Sequence, residues 1–260
     1  MQVVLGIGDS WTQGEGGVPL HIFEERGGRI DGTTDEECIP FLKHEHENSW
    51  VNVLCRDYFT THIPINLGMR GYGNRGAVKN LYIENYELDK ITGGYLIFLL
   101  SSRVRFDVLY SDDYITGRRK FHTIYPFPDI NEINDCYFKY YTDYFGKQET
   151  IFNILEAQTF AQAYNLTFYF ASAFEDIDDL KEDLYGSTKL INWNSYLTPN
   201  TNYFTKLTEL DGNPNASWEY YKKMKMPSKY ITNCIHPTIA GYSKIADDMY
   251  KKIKIKNKWI

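Results

Sequence analysis

A serine and a histidine near the two ends of the chain are the residues best suited to chemistry. Ser10 ends the segment Gly8-Asp9-Ser10, directly after an apolar run, and His236 stands in Asn233-Cys234-Ile235-His236-Pro237, just before the last helical pattern. A serine hydroxyl becomes a useful nucleophile when a base removes its proton, and imidazole titrates near neutral pH. The two residues are therefore a candidate nucleophile and base, if the fold brings the ends of the chain together.

The elements that must position this pair alternate between strands and helices. Short apolar runs predict strands over 3–7, 63–67, 95–100 and 166–171. Helical spacing of apolar residues predicts helices over about 49–58, 77–89 and 149–164, and a last helix after Pro237. This alternation predicts an α/β fold with a mainly parallel sheet that helices cover on both faces.

Three polar segments follow three of the predicted strands. They are Ser10, the glycine-rich loop over 68–76, and Ser101-Ser102. Ligands of parallel sheets bind beyond the carboxyl ends of the strands, so we expect these segments to converge on one edge. Backbone N–H groups of the glycine loop, with the side chain of Asn74, Ser101 or Ser102, would then be candidate donors to an oxyanion.

The rest of the chain is assigned to one domain over 1–260 with two long insertions. Residues 12–47 and 103–146 show no clear period and are predicted to be irregular loops. The chain carries 22 tyrosines, and aromatic side chains in the second insertion could form walls of a substrate site.

Composition excludes several classes of function. The formal net charge of -6 argues against a nucleic-acid binder, which usually has a basic face. We find neither a membrane-spanning apolar stretch nor a signal peptide, which predicts synthesis in the cytoplasm and no membrane partner. The four cysteines are scattered without a C-x-x-C pair and are predicted to be free thiols or core residues.

The segment His44-Glu45-His46-Glu47 could be interpreted as a metal site. Alternating residues do not share a helix face, and no third ligand is evident. We favour a solvated charged loop there, and we predict neither a metal nor an organic cofactor.

Taken together, these segments resemble the blocks of the SGNH/GDSL hydrolase superfamily, in order over nearly the whole chain. Gly8-Asp9-Ser10 resembles the block that carries the nucleophile, and Asn66-Leu67-Gly68-Met69-Arg70-Gly71 resembles the second block. His236, three residues after Asn233, resembles the last block, usually Asp-x-x-His. The resemblance implies a three-layer α/β/α sandwich with a flavodoxin-like sheet, and oxyanion donors that include the N–H groups of Ser10 and Gly71.

Two positions depart from the pattern of the superfamily. Ser102 stands nearest the place of an asparagine that usually donates to the oxyanion, with Asn74 as a candidate replacement. Asn233 replaces the aspartate that usually orients the histidine and stabilises its charged form. The alternatives are a carboxylate from elsewhere, such as Asp211 or Asp176, or a Ser10–His236 dyad.

The resemblance implies an esterase, and we expect a carbohydrate O-acetyl ester as substrate. The alternative is a weakened or inactive SGNH-like structural or binding protein. Ser101-Ser102-Arg103 and Gly71-Tyr72-Gly73-Asn74 are also similar to segments of SGNH-like proteins encoded by tailed bacteriophages. That similarity implies a virion component with virion or self-association partners.

Overall fold

A four-stranded parallel sheet forms the centre of the protein, as a computed structural model shows. The structure describes residues 1–25, 35–83, 87–112, 119–124, 142–182 and 186–257. The strands of this sheet are β1 (Gln2–Gly8), β2 (Ile63–Asn66), β3 (Gly93–Leu100) and β6 (Thr167–Ser172). Their order is β2-β1-β3-β6 and every neighbouring pair is parallel.

Helices connect these strands and cover the sheet. They are α1 (Ser10–Gln13), α2 (Leu20–Glu25), α3 (Asp35–Asn48), α4 (Trp50–Asp57), α5 (Asn74–Ile83), α6 (Asp143–Ala163), α7 (Tyr203–Leu210), α8 (Trp218–Lys222) and α9 (Ile239–Asn257). Short 3₁₀ turns occupy Leu88–Lys90, Asp178–Glu182, Ser187–Leu190 and Trp193–Ser195.

Alternating side chains of the strands point into two separate cores. One core joins the sheet to α4, α7 and α9, and includes Val4, Ile97, Trp50, Leu207 and Ile245. The other joins the opposite face to α5 and α6, and includes Val3, Leu5, Phe98, Val78 and Ile154. Because successive residues of a strand face opposite sides, both faces bury apolar residues. The predicted three-layer α/β/α sandwich is therefore confirmed.

The strand order matches the flavodoxin-like arrangement, in which the chain reverses direction across the sheet beside β1. The position beyond β6 holds an isolated parallel bridge between Phe170 and Tyr196 instead of a full strand. Ligands of such sheets bind beyond the carboxyl ends of the strands at this reversal, and Ser10 begins α1 just after the carboxyl end of β1.

The two regions predicted as irregular loops contain regular structure. Residues 12–47 include α2 and α3, so the prediction of an irregular loop is wrong there. Glu45 is a charged residue that α3 buries, so apolar residues alone do not mark the buried side of this helix. In 103–146, β4 (Phe106–Asp112) and β5 (Arg119–Ile124) form an antiparallel hairpin. Residues 125–141 lie outside the described residues.

Helix α6 begins earlier than the predicted residue 149, because Thr142 caps it by accepting a hydrogen bond from the Phe145 N–H. None of the helices in the described part of the chain is both long and apolar enough to cross a membrane.

Candidate active site

Ser10 lies in the first turn of α1, immediately after β1. Asp9 caps this helix, and its Oδ1 accepts a hydrogen bond from the Trp11 N–H at 2.9 Å. The first N–H groups of a helix have no acceptor within it, so the Ser10 N–H is a candidate donor to a ligand. Gly8 makes the turn possible: a Cβ there would lie 2.2 Å from Thr12 Oγ1 and 2.6 Å from the Leu99 carbonyl oxygen.

His236 lies in a tight turn before α9. The Thr232 N–H donates to the His236 carbonyl oxygen at 2.8 Å, and the His236 N–H donates to Thr232 Oγ1 at 3.0 Å. Ile235 has a φ of 67°, which is strained for a β-branched residue. Trp11 Nε1 donates to the Ile235 carbonyl oxygen at 3.1 Å, which ties this turn to α1.

The structure brings the predicted nucleophile and base together. Ser10 Oγ lies 2.8 Å from His236 Nε2, within hydrogen-bond distance. Ser10 is buried and the His236 side chain is 17% exposed. The arrangement is suited to proton transfer from the hydroxyl to the imidazole.

Glu15 is an acidic neighbour of the pair that we did not predict. Its Oε2 lies 3.4 Å from His236 Nε2, and its side chain is 12% exposed. Gly16, with a φ of 91°, allows the approach, since a Cβ there would lie 2.9 Å from His236 Cβ and 2.7 Å from the Pro237 carbonyl oxygen. A carboxylate therefore faces the same ring nitrogen as Ser10.

Arg70 and Glu45 extend this charged cluster. Arg70 comes from the glycine loop; its guanidinium lies 2.5 Å from Glu45 Oε1 and 3.7 Å from Glu15 Oε2. Its backbone N–H also donates to Gln13 Oε1 at 2.7 Å. Burial raises the pKa of Glu45, and the Arg70 guanidinium opposes that shift. The cluster anchors the glycine loop beside α1.

The charged surroundings of His236 outweigh the effect of its burial. Burial lowers the pKa of His236, but the Glu15 carboxylate, the Cys234 sulfur and the Asp9 carboxylate together raise it to about 9. At neutral pH the imidazole is therefore mostly protonated, and the form that accepts a proton increases as the pH rises towards 9.

Asn233 does not take the place of the missing aspartate beside His236. Its Nδ2 donates to the Met224 carbonyl oxygen at 3.5 Å, and its buried Oδ1 has no hydrogen-bond partner in the described part of the chain. The side chain that faces His236 Nδ1 is Cys234, whose Sγ lies 3.5 Å away.

The two carboxylates suggested as replacements are engaged elsewhere. Asp211 accepts hydrogen bonds from Ser228 and from the Tyr230 N–H, and Asp176 accepts one from the Asp178 N–H. Within the described residues, the acidic contact of His236 is Glu15, at Nε2. A carboxylate from elsewhere therefore does lie beside His236, but it is Glu15 and not Asp211 or Asp176.

Asn74 and Ser101 join the third predicted segment to the site. Asn74 Oδ1 accepts from the Ser101 N–H at 2.7 Å, and Asn74 Nδ2 donates to the Ser101 carbonyl oxygen at 3.2 Å. Ser101 Oγ donates to Asp9 Oδ2 at 2.7 Å, and Arg105 donates to the same oxygen at 2.8 Å. The strand ends thus meet at one edge around the buried Asp9.

Ser102 and Gly71 complete the set of candidate oxyanion donors. The Ser102 hydroxyl donates to Glu175 Oε1, so its single hydrogen is directed at that carboxylate. Gly71, between β2 and α5, has a φ of 76°, a conformation that favours glycine.

Sequence reasoning missed Glu15, Glu45 and Arg70. A usable signal was the Gly14-Glu15-Gly16 segment, in which an acidic residue stands between two glycines soon after the nucleophile. Both glycines have positive φ, which marks a tight loop that returns to the site.

Neither a metal cluster nor the cavity at the start of β6 adds to this site among the described residues. We find no cluster of three or more His, Cys, Asp or Glu side chains there that could hold a metal ion. A cavity of about 540 Å³ lies at the start of β6, lined by residues such as Gln158, Thr167 and Asn192. That position is at the amino end of the strand, opposite the end that faces the site.

Comparisons with known proteins find similarity among solved structures. No family model matches the chain, and no curated protein matches its sequence. Among solved structures, it is similar to the psychrotrophic esterase EstA from Pseudoalteromonas sp., inhibited by monoethylphosphonate. The TM-score is 0.46 and the identity is 14%, over 100% of this chain and 98% of that one. A likeness of this size carries no information about activity.

Proposed function

We propose that the protein is a serine hydrolase that cleaves carboxylic esters, with Ser10 as nucleophile and His236 as general base. The observation that carries this proposal is the 2.8 Å separation of Ser10 Oγ and His236 Nε2. Segments from opposite ends of the chain meet there, and a hydroxyl held against an imidazole nitrogen has the geometry of an activated nucleophile.

In the proposed reaction, Ser10 Oγ attacks the acyl carbon while its proton passes to His236 Nε2. His236 then gives this proton to the departing alcohol, which leaves an acyl group on Ser10. Water attacks the acyl group in the same way, releasing the acid and restoring the hydroxyl.

Backbone groups would be the main donors to the oxyanion. The Ser10 N–H is available at the start of α1, and we assign the Gly71 N–H as a second donor. Asn74 Nδ2 carries two hydrogens, of which the Ser101 carbonyl takes one, so the other is a candidate third donor.

Glu15 would supply the negative charge that Asn233 lacks. When His236 takes the proton of Ser10 it becomes an imidazolium, and a carboxylate 3.4 Å from Nε2 stabilises that form. The same charge keeps the imidazole protonated at neutral pH, so we expect activity to increase towards alkaline pH.

The substrate class we favour is a carbohydrate O-acetyl ester. This choice is supported by the sequence resemblance and by the abundance of tyrosines, which stack well on sugar rings. Release of acetate from acetylated oligosaccharides, compared with p-nitrophenyl acetate, would test it. A preference for the simple ester by kcat/KM would contradict the carbohydrate assignment.

The direct test of the reaction is turnover of p-nitrophenyl acetate at pH 9 by the wild-type protein and by Ser10→Ala. We expect turnover by the wild type and none above background by the variant. Equal rates for the two proteins would overturn the proposal, because the measured hydrolysis would then not use Ser10.

A second candidate is a binding protein that retains the fold without turnover, such as a virion component. The hydrogen bond from Ser102 to Glu175 favours it, because that hydroxyl is turned to a carboxylate instead of to an oxyanion. Absence of turnover in the wild type, together with co-purification of a particle or a second copy, would support this alternative.

A further inference from the structure

The turn before α9 places a thiol against the ring nitrogen of His236 that does not face Ser10. Cys234 Sγ lies 3.5 Å from His236 Nδ1 and 3.0 Å from Thr232 Oγ1. The same Thr232 oxygen accepts the His236 backbone N–H at 3.0 Å. Cys234 is thus held from two sides within the turn that carries the imidazole.

The chemistry of proton transfer places a requirement on Nδ1. To accept the proton of Ser10, Nε2 must be unprotonated, so the neutral imidazole must carry its hydrogen on Nδ1. Sulfur is a weak hydrogen-bond acceptor, and a thiol that donates to Thr232 leaves its lone pairs towards the ring. Either atom of the Thr232–Cys234 contact can be the donor, and when the thiol donates, its sulfur can accept the hydrogen of Nδ1.

The side chains of Asn233 and Glu15 make their contacts away from His236 Nδ1. Asn233 donates to the Met224 carbonyl, and Glu15 faces Nε2. Among the described residues, Cys234 is the side chain that contacts Nδ1. The side chain at Nδ1 therefore belongs to Cys234 and not to Asn233, the position that the sequence pattern indicated.

We propose that Cys234 is a positioning residue, which orients the His236 ring and keeps its hydrogen on Nδ1. The catalytic consequence of this inference rests on the proposed ester hydrolysis, whereas the orientation of the ring does not. The variants are Cys234→Ala and Cys234→Ser, and the matched control is Cys55→Ala, which changes a buried free cysteine away from the turn.

The first experiment measures the tautomer of the His236 ring directly and requires no turnover. In ¹⁵N NMR spectra of the full chain at pH 10, above the pKa of His236, we expect hydrogen on Nδ1 in the wild type and in Cys55→Ala. Cys234→Ala should shift towards the other tautomer. An unchanged tautomer in both Cys234 variants would overturn the inference.

The second experiment measures the kinetics of ester hydrolysis. Cys234→Ala should lower kcat for p-nitrophenyl acetate by about tenfold with little change in KM, as expected from one lost hydrogen bond, and Cys234→Ser should fall less. Values of kcat within twofold of wild type for both variants would contradict the role. If the tautomer changes but the wild type has no turnover, the positioning holds and the proposed function fails.

Discussion

The two halves of the candidate site differ in how their polar groups are used. In the half that would transfer the proton, Ser10 and His236 face each other at 2.8 Å, and Glu15 adds a charge at the same nitrogen. In the half that would hold the oxyanion, Asn74 bonds the Ser101 backbone and Ser102 bonds Glu175. The first half is arranged for chemistry, whereas side chains of the second are engaged in holding the strand ends together.

This difference indicates which groups can donate hydrogen bonds to an oxyanion. A backbone N–H at a helix start needs no side chain, so the Ser10 N–H can donate to an oxyanion although Ser102 is occupied. The site would therefore depend strongly on its proton-transfer pair and weakly on its side-chain donors.

The largest expected loss of kcat comes from substitutions in the half of the site that transfers the proton. Ser10→Ala and His236→Gln should each lower kcat by about 10⁴-fold or more, and the double variant should fall little further, because the two residues act as a unit. Steady-state kinetics with p-nitrophenyl acetate measure this. Losses that multiply in the double variant would show that the residues act independently.

A smaller effect is expected at Asn74. If the second hydrogen of its Nδ2 reaches the oxyanion, Asn74→Ala should lower kcat by about 10²-fold with little change in KM. Thermal unfolding of the same variant separates the structural part, since two hydrogen bonds to Ser101 are also lost. A lower melting temperature with kcat within threefold of wild type would assign Asn74 to structure alone.

Substitution of Glu15 tests how a neighbouring charge sets the pH dependence of kcat/KM. The base must be unprotonated to accept the proton of Ser10. Burial lowers the pKa of His236, but Glu15, Cys234 and Asp9 together raise it to about 9, so wild-type kcat/KM should increase up to about pH 9. Glu15→Gln should shift this profile to lower pH and raise kcat/KM at pH 7 by about tenfold for each unit of pKa lost.

The control for Glu15 is Glu47→Gln, on the exposed face of α3, which should leave the profile unchanged. At pH 10 Glu15→Gln should be slower than wild type, since the imidazolium formed during attack loses its neighbouring charge. A profile for Glu15→Gln that overlies that of the wild type would show that this carboxylate does not act on His236.

The smallest expected effect is at Ser102. Because its hydroxyl hydrogen is directed at Glu175, Ser102→Ala should change kcat by less than about threefold. Measured kinetics with p-nitrophenyl acetate check this. A 100-fold fall in kcat at unchanged KM would mean that the hydroxyl turns to the oxyanion during the reaction.

Much of the fold was predictable because buried parallel strands leave continuous apolar runs. The strands at 3–7 and 95–100 extend as β1 and β3, and their carboxyl ends carry Ser10 and Ser101 to one edge. Helix α3 was missed because its buried face includes Glu45, whose partner Arg70 lies in a distant loop. A pattern of apolar residues cannot reveal a helix whose buried side is partly charged.

The supporting contacts of His236 were harder to predict than the pair itself. The spacing of Asn233 and His236 suggested that Asn233 would face the ring, but Ile235, with a positive φ, bends the turn and Cys234 lies at Nδ1. Glu15 approaches only because Gly16 tolerates the contact with His236 and Pro237. Both outcomes depend on backbone conformations that residue types alone do not specify.

The most direct test of the central claim is labelling of Ser10 by a fluorophosphonate at pH 9, located by mass spectrometry of the digested protein. An activated hydroxyl should react in the wild type and lose its label in Ser10→Ala, and His236→Gln should slow labelling strongly because the base is removed. Absence of label on Ser10, or equal labelling with and without His236, would contradict the claim that these two residues form a nucleophile and its base.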